Sequence, residues 1–81
     1  MIARVTIMPK KDVLDPQGKA VSGALHSLGH NQVAEVRVGK VILVTLDDSV
    51  SKAEASEQVT AMCESLLANT VIEDYTFELE G

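Results

Sequence analysis

The run VAEVRVGKVILVTL, residues 33–46, constrains this chain more than any other stretch. β-Branched and aliphatic side chains dominate it, which suits a pleated, half-buried surface, and its one break is Gly39-Lys40. Glycine at the first position of a two-residue turn supplies the positive φ that such turns need, so the run predicts a hairpin. That turn sets Val38 opposite Val41, Arg37 opposite Ile42 and Val36 opposite Leu43. The second half is apolar on both faces, with Ile42, Val44 and Leu46 on one and Val41 and Leu43 on the other. A strand of that kind belongs in the middle of a sheet, covered on both sides.

The flanking segments supply four more elements. IARVTIM (2–8) alternates as a strand until Pro9 removes a donor. In VLDPQGKAV (13–21), Asp15 is a good N-cap and Pro16 suits the first helical position. Ala20, Val21, Ala24, Leu25 and Leu28 then recur on one helical face, and Gly29 closes a helix of about three turns. Ser51 and Glu54 form a capping box for a second helix. Its buried stripe is Ala55, Val59, Met62, Cys63, Leu66 and Leu67, and it ends near Asn69. IEDYTFEL (72–79) alternates Tyr75, Phe77 and Leu79 against an acidic face, as an edge strand should. The order is β-α-β-β-α-β in a single domain, residues 1–81. The expected α+β fold is a ferredoxin-like two-layer sandwich, a four-stranded antiparallel sheet with two helices on one face. Its first and third strands lie in the middle.

Such a domain has a thin core. Tyr75 and Phe77 are its only aromatics, and Cys63 is alone, so no internal disulfide forms. Domains this small usually need a staple or a partner. Two helices cover one sheet face, and the other still carries apolar side chains of the kind that mark association surfaces, so a homo-oligomer, dimer or tetramer, is expected. A net charge of −5 argues against nucleic-acid backbone and anionic membrane surfaces as partners. RNA-recognition domains share this element order but stack bases on aromatics of the central strands, and ARVTIM and VILVTL have none. No apolar run approaches membrane-spanning length, and a cytoplasmic location is expected.

The chemistry-bearing residues read mostly as structure. DPQGK has one glycine where a phosphate loop needs several and a G-K-S/T ending, so it is a helix start. His26 and His30 are four apart, but Gly29 ends the helix between them. Cys63 lies in a core stripe and behaves as a small hydrophobe. Asp47-Asp48 suit a loop before a helix, and Glu73, Asp74, Glu78 and Glu80 a solvated face. No nucleophile has an oriented base beside it. Catalytic, metal and cofactor-binding residues are therefore expected to be absent from this chain. Arg37, Lys40, Asn69 and Thr70, at a hairpin and a polar turn, are the candidates for contact with another protein.

Four strings, VLDPQGKAV, ALHSLGH, VAEVRVGK and CESLLANTVIEDY, in this order and spacing, resemble the PurS family from about Ile2 to Glu80. The resemblance implies the small subunit of a three-chain phosphoribosylformylglycinamidine synthase. That enzyme converts formylglycinamide ribonucleotide, glutamine and ATP into formylglycinamidine ribonucleotide, glutamate, ADP and phosphate in de novo purine synthesis. It implies as partners a glutaminase subunit that releases ammonia and a large synthetase subunit that uses ATP and magnesium. The small subunit, itself not catalytic, would bridge the two and assist ammonia transfer. The alternative is a small-molecule sensor of the ACT type, which has the same element order.

Overall fold

The computed structural model describes all of residues 1–81. Three strands form one sheet: β1 (Ile2–Pro9), β2 (Lys40–Thr45) and β3 (Glu73–Glu80). The order is β2-β1-β3, and β1 is antiparallel to both neighbours. Val5 lies opposite Ile42 on one side and Phe77 on the other. Two helices complete the chain, α1 (Pro16–Ser27) and α2 (Lys52–Met62), the second running on into a π turn, Cys63–Leu67.

The core follows from two periodicities meeting. Every second residue of β1 (Ala3, Val5 and Ile7) points to one face and is fully buried. From α2, residues four apart (Ala55, Val59 and Cys63) are also fully buried. Ser51 starts α2 as anticipated: its hydroxyl accepts the Glu54 N–H at 3.2 Å and donates to the Glu54 carboxylate at 3.0 Å. In the π turn the Ala68 N–H donates to the Cys63 carbonyl at 3.1 Å, a five-residue step. The wider turn keeps Leu67 half-buried against the core and turns Leu66 out, 82% exposed. Leu66 therefore does not belong to the buried stripe.

The hairpin at Gly39-Lys40 does not form. Only Gly29 and Gly81 have a positive φ, so Gly39 does not turn the chain back, and Lys40 already begins β2. Glycine is needed at 39 for room, because a Cβ there would strike the Met8 sulfur and the Ile7 carbonyl. Residues 33–39 have no ladder partner within the chain, so Val36 does not face Leu43. The sheet of the single chain thus has three strands, and β2, the strand expected in the middle, lies at its edge.

Helix α1 is the second departure. It does not pack on the sheet, and only Gly18 of its twelve residues is buried. Its ends are formed as expected. Beyond Ser27, the Gly29 N–H donates to the His26 carbonyl and the His30 N–H to the Leu25 carbonyl, both at 3.0 Å, with Gly29 at φ +97°. This is a Schellman closure. Yet the apolar stripe finds no groove: Val21 is 41% and Leu28 75% exposed. The protomer is accordingly long and thin, 51 × 26 × 14 Å. α2 leans toward β3, leaving Ile42 and Val44, on the same sheet face, only partly covered.

Candidate contact site at the foot of helix α1

The site is built around Asp15, the residue that starts α1. Its Oδ1 accepts the Gly18 N–H at 3.0 Å, satisfying one of the free donors of the first helical turn. Its Oδ2 accepts the Val38 N–H at 2.9 Å, from 23 residues further along. Gly18 has no space for a side chain, since a Cβ would meet the Val36 carbonyl and the Asp15 carboxylate. The Arg37 guanidinium donates to the Pro9 carbonyl. One carboxylate and one guanidinium thus fasten the end of β1, the start of α1 and residues 36–38 at a single point. The N–H groups of Gly18 and then Val38 hold the Asp15 carboxyl below the usual carboxylate range, and the Arg37 charge adds to this.

Glu73 organises the adjoining side. Its Oε2 lies 4.0 Å from the Lys40 ammonium, and its Oε1 accepts the Asn69 N–H at 2.8 Å. Asn69 closes a tight turn: its Oδ1 accepts the Val71 N–H at 3.2 Å. Its carbonyl accepts the N–H groups of Ile72 at 3.0 Å and Glu73 at 2.7 Å. Thr70 sits exposed within that turn. Next to it the Lys10 ammonium donates to Asp74 at 2.7 Å, which raises the Lys10 pKa. Between the two halves lies a shallow cleft of about 250 Å³, where Asp15, Gln17, Lys40 and Glu73 surround Ile7 and Pro9.

The four residues singled out in the sequence therefore separate. Arg37 is half-buried and engaged by Pro9, and Asn69 is engaged by its own turn. Lys40 and Thr70 face solvent. Glu73 joins Lys40 to the Asn69 turn, a role that sequence reading missed by taking Glu73 as part of a solvated face. It also missed the second oxygen of Asp15. The spacing Asn69–Glu73 is a usable signal for the first; nothing in the sequence marks the second.

Elsewhere, the His26 Nε2 donates to the Val33 carbonyl at 2.8 Å, which fixes the tautomer because a carbonyl only accepts. No three His, Cys, Asp or Glu side chains are grouped so as to hold a metal ion. Cys63 is sealed in the core, where burial raises its thiol pKa. The Tyr75 hydroxyl donates to Glu64 at 2.7 Å, and that bond raises the Tyr75 pKa. No helix is long and apolar enough to cross a membrane.

Residues 2–81 match the family model described as PurS, phosphoribosylformylglycinamidine (FGAM) synthase. The synthase subunit PurS of Bacillus subtilis is 49% identical over 77 residues, covering 95% of this chain and 89% of its own length. That of Mycobacterium leprae is 46% identical over 79 residues, covering 98% and 95%. Among solved structures, B. subtilis PurS superposes with a TM-score of 0.86 at 48% identity, covering 99% of this chain and 98% of that one. A chain of PurLQS from Thermotoga maritima superposes with a TM-score of 0.80 at 29% identity, covering 96% of each. With this agreement along nearly the whole length in both sequence and fold, the chain belongs to the PurS family, subunits of phosphoribosylformylglycinamidine synthase.

Proposed function

We propose that this chain is the small, non-catalytic piece of a multi-chain synthase of purine biosynthesis, and that it acts by holding other chains together. On this reading it bridges a glutaminase and an ATP-dependent synthetase in the cytoplasm and helps ammonia pass between them. ATP and magnesium belong to the synthetase. The relatives' names and the T. maritima complex support the subunit assignment over a small-molecule sensor. The observation that carries the bridging role is the incomplete protomer. Only eight of 81 residues are buried, the stripe of α1 lies off the sheet, and residues 33–38 have no ladder partner in the chain, so on this reading the fold closes by association.

The first associate is a second copy. The chain lacks a strand beside β2 and a helix over Ile42 and Val44. It carries both of these unused, 33–38 and α1. Reciprocal exchange between two copies completes on each the four-stranded sheet with two helices on one face. Lys40 and Thr70, exposed beside this junction, then serve as contacts to larger subunits, with Arg37 and Asn69 shaping the surface around them. The test is reconstitution with the synthetase and glutaminase subunits of the same organism. Glutamine-dependent synthesis should require the chain, while ammonia-dependent synthesis should need it less. Equal glutamine-dependent rates with and without it refute the reading.

A further inference from the structure

The sheet has a second face, opposite α2, and nothing in the chain covers it. Three columns of side chains cross it with different chemistry. β2 contributes Val41 and Leu43, 58% and 61% exposed. β1 contributes Ile2, Arg4 and Thr6, and β3 contributes Thr76, Glu78 and Glu80. In register, Leu43, Arg4 and Glu78 form one row, and Val41, Thr6 and Thr76 the next. Arg4 is spoken for, its Nε 3.5 Å from Glu80. The face therefore grades from aliphatic on β2 to anionic on β3.

That gradient selects the occupant. Two copies stacked face to face obey a two-fold axis, and the axis has two aligned choices. An axis across the strands lays β3 on β3, setting Glu78 and Glu80 against their own equivalents. An axis along the strands lays those acids over Val41 and Leu43, burying charge against aliphatic surface. The first costs like-charge repulsion and the second desolvation without a partner. A second copy is thus a poor fit for this face. A different surface, with an aliphatic ridge over β2 and arginine or lysine over β3, fits both halves.

We propose that this open face docks a larger subunit of the synthase through such an aliphatic-and-basic surface, with Val41 and Leu43 as the apolar anchors and Glu78 as the principal charge. This rests on the subunit reading above. The acids on β3 then steer the encounter, and binding weakens with salt.

The experiment measures binding of the chain to the synthetase–glutaminase pair of the same organism, alongside its self-association by sedimentation. Leu43→Glu and Glu78→Lys are compared with Glu57→Lys, which makes the same charge change on the exposed side of α2. Leu43→Glu and Glu78→Lys should each weaken binding by about tenfold or more, Glu57→Lys by less than about twofold, and self-association should not change. Val41→Thr, a near-isosteric change at an exposed position, replaces Leu43→Glu if circular dichroism shows that variant unfolded. Wild-type affinity in both face variants, equal weakening by Glu57→Lys, or loss of self-association instead of subunit binding overturns the proposal. Failure of the wild-type chain to bind is distinct from these, because it removes the subunit reading and this face with it.

Discussion

Asp15 and Val38 are joined by a single hydrogen bond, Val38 N–H to Asp15 Oδ2 at 2.9 Å, and that bond ties the start of helix α1 to the segment leading into β2. The other oxygen of the same carboxylate holds the helix start through Gly18. A residue that only capped would fix the helix to itself. Asp15 fixes it to the strand-like segment leading into β2.

Asp15→Ala should therefore loosen two places at once. Amide exchange at Val38 and at Gly18 should speed up by about tenfold or more, while exchange in the β1–β3 ladder stays unchanged. Asp15→Asn, which keeps Oδ1, should spare Gly18 more than Val38. Because the folded-state pKa of Asp15 is lowered, its contribution is present above the ordinary carboxylate range and is lost as pH falls through the lowered value. Exchange at Val38 should rise on that acid limb in the wild type but not in Asp15→Ala.

The alkaline limb is set by other groups. Tyr75 is the only tyrosine and the chain has no tryptophan, so its ionisation is read directly by ultraviolet absorbance. The bond to Glu64 raises its pKa, so the midpoint should lie above that of free tyrosine, and Glu64→Gln should lower it. A raised folded-state pKa contributes stability below the unfolded value that disappears as pH climbs through the folded one. The same sign holds for Lys10 beside Asp74. Stability should thus fall at high pH, and less steeply in Tyr75→Phe.

The core is small enough that one residue matters. Val59 is fully buried among Val5, Ile7 and Cys63. Val59→Ala should cost about 2 kcal/mol, from two lost methyl groups and the space they leave, and lower the melting temperature by roughly 10 °C. Gly39→Ala should also destabilise, by about 1–3 kcal/mol in urea unfolding, because the new methyl meets the Ile7 backbone carbonyl as well as the Met8 side chain, and only the side chain can move aside cheaply.

Substitutions on α1 should separate assembly from folding. Val21→Asp and Leu28→Asp alter side chains already exposed in the protomer. Their far-ultraviolet circular dichroism should stay close to that of the wild type at high concentration, and, if α1 is exchanged as proposed, sedimentation should shift from dimer to monomer. A dimer of undiminished affinity would argue that α1 is not exchanged.

How much of this was legible can be followed residue by residue. Ser51 and Glu54, Asp15 and Pro16, and the Gly29 closure were readable because caps are local and each needs a particular side chain. The alternation in β1 and β3 was readable for the same reason. Gly39 misled because glycine serves two purposes, a positive φ and close approach, and only the Met8 and Ile7 atoms against it show which applies. The stripe on α1 was real, but periodicity says that a face is apolar and not whose surface covers it. The π turn at Cys63 has no residue signature at all, so Leu66 was placed on the wrong side. At the candidate contact site, Lys40 and Thr70 were visible as polar positions, and both are exposed. The second oxygen of Asp15 and the pairing of Glu73 with Lys40 were hidden because each acts across a separation that only folding closes.

The stand-off of α1 also governs how the protein responds to dilution. Under the exchange proposed above, a helix whose grease waits for a sister chain makes maturation second-order, so scarce protomers would linger half-finished and open to proteases while abundant ones seal quickly. On that proposal, abundance itself would become part of what keeps this polypeptide intact.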